Sequence, residues 1–345
     1  MPTLTSEDIA DLTLGTLADL GENKWTDLTS DLQEHIAANE LINENKFKID
    51  SGKKIEFSAM IGNNASARWV GLNEPDNVGF GDNMKRPSVD WRHITCNMAI
   101  EERLVTMNAS PRKIYDYVKE QKAGAMVAWI EKFEEAFWSK PTDDTDEVLP
   151  FGVKYWIVTN SYTTTPAIAG GNPTGFTSGC AGLSSSTYTR WKNGNVQYVA
   201  VTKVDLMRKL RKLAKLCNFK PPVAMPTYDR GKGYGYYTTL DNQSAMEELA
   251  ENQNDRLGTD LASMDGKVLF RRSPVEWAPF LDADTSAPFY GIHWGSFEVN
   301  YLAGEWMHQT GPKQAPGEHR TQHTHWDSSL NFVCKNRRRN FVAAL

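Results

Sequence analysis

Residues 110–140 carry apolar side chains at the spacing of an α-helix, and this one segment limits the fold more than any other. Ser110 is a good N-cap, and Pro111 stands at the first helical position, where its missing N–H costs nothing. Pro141 stops the pattern. Ile114, Val118, Ala125, Trp129, Phe133 and Phe137 form one stripe, broken at Gln121. About 30 residues at 1.5 Å per residue make a rod of roughly 45 Å. That is long for the core helix of a globular domain, so the segment reads as a backbone across which other parts are laid.

The flanking segments are built differently. Residues 1–45 are acidic and polar, with Glu7, Asp8, Asp11, Asp19 and Glu22 ahead of or around the first basic residue, Lys24. Their few apolar positions, Ile9, Leu12, Leu17 and Leu20, suit short helices that bury little by themselves, so the segment reads as an arm. Residues 54–61 and 89–104 are strand candidates, the second alternating Trp91, His93, Thr95 and Asn97 against Arg92, Ile94, Cys96 and Met98. The stretch between them, with Gly71, Pro75, Gly79 and Gly81, is turn chemistry. These features predict a long two-stranded hairpin, which is marginal in water without a partner surface.

Beyond the helix, the sequence predicts a strand over 153–158 and an uncharged, ordered loop region over 161–189. It then predicts a strand at 197–201 and a helix from Thr202, capped with Asp205, to Cys217. A further helix is expected over about 244–257, then strands at 267–271, 296–302 and 328–334. The fold class is α+β.

Composition narrows the function. Lys and Arg number 38 against 43 Asp and Glu, a net charge of -5, so nothing draws the whole chain to nucleic acid and any such contact is local. The four cysteines, Cys96, Cys180, Cys217 and Cys334, form no C-x-x-C pair. No apolar run approaches the ~18 residues of a membrane span, and the acidic start is unlike a signal peptide, so a soluble, unsecreted protein is expected. Phosphate-loop and dinucleotide motifs are absent.

Three features could carry chemistry. His319, His323 and His325 could share one face of an extended chain as a metal set, or simply occupy the polar face of a strand. Cys180 could be a nucleophile, or a small residue in a tight turn. Two basic clusters also stand out: Lys203, Arg208, Lys209, Arg211, Lys212 and Lys215 on one helix, and Arg337, Arg338 and Arg339 near the end. Each cluster has three readings: a solvated face, pairing with acidic patches on neighbouring subunits, or contact with DNA.

The order of these parts resembles the major capsid protein of tailed bacteriophages, the Johnson fold shared with herpesvirus shells. So do the stretches 149–160 (LPFGVKYWIVTN), 188–204 (YTRWKNGNVQYVAVTKV), 275–294 and 336–342 (NRRRNFV). The resemblance implies an N-terminal arm (1–45), an extended β-hairpin loop (46–108), a spine helix with peripheral domain (109–160), an axial domain (161–290) and return strands of the peripheral domain (291–345). It implies pentamers and hexamers in an icosahedral head, and a rounder precursor that expands on packaging, with the helix bending near Gln121 and Gly124. A scaffolding protein, a portal, a decoration protein and packaged double-stranded DNA are the implied partners. With only about 45 residues before the ribbon, scaffolding is expected from a separate protein or from a longer, processed precursor. No cofactor and no enzymatic activity are expected. Subunit contacts are assigned to Arg68, Trp69, Trp91, Arg92, Lys209, Arg211, Arg337, Arg338 and Arg339, types enriched at interfaces or in the basic clusters. The competing readings are a metal- or thiol-dependent enzyme on the histidines or Cys180, and another phage part such as a decoration or tail protein.

Overall fold

The computed structural model of the chain describes residues 35–43, 47–62, 83–101, 111–218, 233–254, 268–314 and 320–345, with positions 69, 71–72, 103 and 317. Most of the expected arm and of the ribbon tip lies outside these residues. In chain order a short helix α1 (Ile36–Ala38) runs into a π-turn (Asn39–Asn43). Strands β1 (Phe47–Asp50), β2 (Ile55–Glu56), β3 (Ala59–Met60), β4 (Met84–Lys85), β5 (Ser88–Val89) and β6 (Arg92–Glu101) follow. Next come α2 (Pro111–Trp138), α3 (Val153–Trp156), β7 (Gly194–Gln197), α4 (Leu206–Cys217), β8 (Tyr234–Thr238) and α5 (Leu240–Asn254). The chain closes with β9 (Leu269–Phe270), β10 (Ser273–Trp277), β11 (Phe289–His293), β12 (Phe297–Leu302), β13 (His308–Gln314), β14 (Thr321–Cys334) and β15 (Phe341–Ala344).

Two sheets organise the molecule. A five-stranded sheet is built round β14, which pairs with β6 and β13 through its first half and with β12 through its last residues, β1 lying parallel outside β12. A six-stranded sheet runs β7-β15-β11-β8-β10-β9. The final strand therefore leaves the five-stranded sheet and pairs with β11 and, in parallel, with β7.

The long helix forms where its capping and stripe place it, over Pro111–Trp138. Val118, Trp129, Phe133 and Phe137 of the expected stripe are buried, whereas Gln121 is exposed. The stripe first meets Met98, Ile100 and Trp326 on β6 and β14. Its last turn then enters an aromatic core shared by both sheets. Phe137 stacks on Trp294 at 5.6 Å and 15°, and meets Phe332 at 5.3 Å and Phe297 at 6.0 Å edge-on. The next residue, Trp138, packs on Tyr237 and Tyr290 of the six-stranded sheet. A second cluster lies between that sheet and α4, whose Leu206, Leu210, Leu213, Ala214 and Cys217 are buried.

Several expectations are corrected. The segment expected as a strand at 153–158 begins as the short helix α3, because every residue from Val153 to Val158 but Lys154 is buried and an all-buried run carries no period. The helix expected from 244 starts at Leu240, with Asn242 N–H donating to Thr239 Oγ1 at 3.4 Å and Leu240 N–H to Asp282. The described part of the ribbon pairs differently from the expectation. Ile55 and Glu56 pair with Val89 and Ser88, and Ala59 and Met60 with Lys85 and Met84. Residues 92–101 do not return along 54–61; they pair with Thr321–Leu330 of β14. The alternation in β6 was correct, with Arg92, Met98 and Ile100 buried and His93, Thr95 and Asn97 exposed. Periodicity fixes which side faces in, and the identity of the partner strand is a tertiary matter.

Candidate assembly surfaces

The base of the ribbon is held by its own subunit. Ile55, Phe57, Ala59 and Ile61 alternate inward, and Phe57 lies 6.5 Å from Trp156 and 6.3 Å from Trp191. Its opposite face exposes Met60 and Met84, direct cross-strand partners. The ribbon was expected to be unsupported, and over its described base it is not. Only the outward face is left for a neighbour.

The end of the arm is likewise fastened. Ile36, Ala37, Ala38 and Leu41 are buried in the main core. Glu134 of α2 accepts the N–H groups of Ala37 (2.9 Å) and Ala38 (3.1 Å) and the indole N–H of Trp138 (2.8 Å). Burial raises the Glu134 carboxyl above its usual range, even though these donors pull it down. A carboxyl raised on folding binds its proton more tightly in the folded state, so its contribution is greatest below the ordinary value of 4.5 and is lost as pH rises through the folded value. Thermal melts of the dissociated subunit should therefore show wild type losing stability relative to Glu134→Gln as the pH rises above 4.5. Parallel curves would refute the assignment.

The residues assigned to subunit contacts separate sharply. Arg337 is wholly buried inside one subunit: its guanidinium donates to the carbonyls of Trp156 (2.8 Å), Trp191 (2.8 Å) and Gly171 (3.2 Å) and to Asn193 Oδ1 (3.2 Å). A contact role for it is withdrawn, because every bond direction of the fork points inward. Arg92 is also turned in, 8% exposed, donating to the carbonyls of Leu149 and Asp146. Trp91 is half-buried and donates to Gly52 O. Lys209 is ion-paired with Asp205 and bonded to Gln197 O. Arg338 and Arg339 are half-buried, Arg339 beside His293. Trp69 and Arg211 are exposed, and Arg68 lies outside the described residues. The interior polar joints left no mark in the local pattern: Asn193 bridges Val158, and Asn340 links His293, Ser296 and Asn336. A run of arginines reads as surface unless the fold is known.

Among the described residues the candidates for chemistry do not come together as a site. His323 and His325 occupy one half-exposed face of β14, their rings 6.4 Å apart, and His319 lies outside the described residues. Among the described residues, no group of three His, Cys, Asp or Glu is placed to hold a metal. Cys180 is buried, donates to Tyr155 O at 3.1 Å, and burial pushes its thiol up to about 11, the reverse of nucleophile activation. No helix among the described residues is long and apolar enough to cross a membrane.

The exposed face of α4 carries Arg208, Arg211, Lys212 and Lys215 opposite its buried leucines. The turn after α2 carries Asp143, Asp144, Asp146 and Glu147. Together with the outward face of the ribbon these are exposed surfaces that association could use.

No protein-family profile matches the chain, and no curated protein does. Solved structures do. The capsid of cyanophage A-1(L) aligns at TM-score 0.61 and 15% identity over 94% of this chain and 97% of that one. The capsid of the native GTA particle aligns at 0.55 and 11%, over 94% and 95%. The holo-SrpI encapsulin complex of Synechococcus elongatus aligns at 0.51 and 9%, over 99% and 96%. The chain has the Johnson fold of tailed-phage capsids, α+β in class.

Proposed function

We propose that the chain is a major capsid protein, a shell-building subunit of a tailed phage that forms pentamers and hexamers of an icosahedral head around double-stranded DNA. The observation that carries this reading is a likeness covering almost the whole of both chains, so that helix, ribbon and both sheets are matched together. Capsid stretches such as 149–160 and 336–342 favour a phage head over the encapsulin compartment with which the fold is shared. The division into arm, extended loop, spine helix, axial domain and return strands at the boundaries given above belongs to this proposal. So do the partners (a scaffolding protein, a portal, a decoration protein and packaged DNA) and the place of action in the virion after assembly in the host cytoplasm.

The role is structural and not enzymatic. The burial of Cys180, which pushes its thiol up, speaks against the thiol-dependent alternative. Mechanism is then geometry: each exposed contact is weak, and closure multiplies it because a ring presents every contact several times. Electron microscopy of the purified full chain, over a series of protein and salt concentrations, is expected to show capsomers or closed shells. A compact monomer at every condition would end this reading.

A further inference from the structure

Helix α4 has a cationic outer face that its own subunit leaves uncovered. Arg208, Arg211, Lys212 and Lys215 are exposed there. The turn between β9 and β10 extends the patch with Arg271 and Arg272, both exposed, at φ of 50° and 73°. Those left-handed values are unfavourable for side chains with a Cβ. Arg271 is tied to α4 by a 3.0 Å bond to Ala214 O. Just before the helix Val204 is 64% exposed, and Leu216 is exposed in its last turn.

A complement to this face stands elsewhere on the same chain. In the turn 142–149, Asp143 is occupied by the N–H and hydroxyl of Thr145, and Asp146 by the N–H groups of Thr142, Val148 and Leu149. Those bonds fix the turn and leave Asp144 and Glu147 exposed, next to Val148, which is 77% exposed. The turn is anchored by Arg92 of the five-stranded sheet, whereas α4 packs on the six-stranded one. Among the described residues no ion pair joins the two.

We propose that the cationic face of α4 docks on the 142–149 turn of an adjacent copy, head to tail. Opposite charges and an exposed apolar residue beside each patch make the two surfaces complementary. A nucleic acid would satisfy the cations and leave the carboxylates and Val148 in water, so a second copy of the chain fits better. A contact between two different patches repeats from copy to copy and forms a ring where the rotation between copies closes, which deepens the shell reading and rests on it.

The test uses the full chain and three variants: Arg211→Glu with Lys212→Glu, Asp144→Lys with Glu147→Lys, and all four together. All changed positions are exposed, and circular dichroism checks that each variant folds. Sedimentation and electron microscopy should show either reversal lowering the assembled fraction at least tenfold, and the four-fold exchange restoring it. A 1:1 mixture of the two reversals matches the patches at both kinds of contact between unlike copies, native with native and exchanged with exchanged, and should form mixed oligomers that neither variant forms alone. The proposal is overturned if either reversal assembles like wild type, or if the exchange does no better than the reversals. It is also overturned if the α4 reversal abolishes binding to a short DNA duplex while leaving assembly intact. Wild-type shells that survive both reversals remove this contact and spare the shell reading. Wild-type rings that never close, yet dissolve on reversal, do the opposite.

Discussion

Replacing Arg337 with alanine is expected to leave little folded protein. The side chain has no exposed surface, and it closes four acceptors contributed by α3, the loop at Gly171 and the segment at Trp191 and Asn193. Burying an unpaired guanidinium charge costs energy, so its removal recovers some. The loss is larger. The carbonyls stay where the rest of the core holds them, and each buried acceptor left without a donor costs ~1–3 kcal/mol. Asn193 Oδ1 keeps the N–H of Val158, and the three carbonyls together cost about 3–9 kcal/mol, a large part of the ~5–15 kcal/mol that holds a typical domain together. Lysine should not rescue, since a single ammonium lacks the planar fork that reaches all four acceptors. Soluble yield and chemical denaturation of the dissociated subunit measure this. An Arg337→Ala protein that melts within a few degrees of wild type would show that the network is dispensable.

The second large effect is expected at Phe137. It is fully buried, and it is the point where the last turns of α2 meet Phe297 and Phe332 of one sheet and Trp294 at the end of β11 in the other. Truncation to alanine removes an aromatic ring from a close-packed site that four large neighbours cannot refill, and should cost roughly 3–5 kcal/mol. Leucine should recover much of this by restoring volume. The denaturant midpoint should fall for Phe137→Ala without a change in slope. Equal midpoints for the alanine and leucine variants would mean that the ring is not what joins the sheets. The two changes act at different places: Phe137 fastens the helix to the sheets, and Arg337 fastens the charge-free loop region to the closing strands.

The helix was legible because it is written in local terms. Ser110, Pro111 and Pro141 mark the ends of α2, and the spacing from Val118 to Phe137 marks its inner face. Alternation from Arg92 to Ile100 likewise gave the correct inward side of β6. The strand that β6 would pair with begins at Thr321, 220 residues beyond its partner Glu101 and out of reach of any local signal. The long β14 was foreseen only over its last residues, since its first half, His323 and His325 included, reads as polar. Trp326 there is buried against α2.

The candidate contact residues were read less well for one physical reason: charge along a sequence reports solvation only on average. Arg211 is exposed, as its helix position suggests, whereas Arg337 is enclosed by carbonyls that come from residues 156, 171, 191 and 193. The same holds for Glu134, whose donors Ala37 and Ala38 lie some hundred residues earlier.

By itself the sequence determined the extent of α2, the apolar faces of α2, α4 and β6, and the order of parts that resembles a capsid subunit. Those properties depend on neighbours a few residues apart, and hydrogen-bond period and side-chain polarity suffice for them. Tertiary structure alone decided which strands share a sheet, that the last strand crosses to the second sheet, and which charges are interior. These depend on groups brought together from distant parts of the chain, where a buried acceptor must find whatever donor the packing supplies.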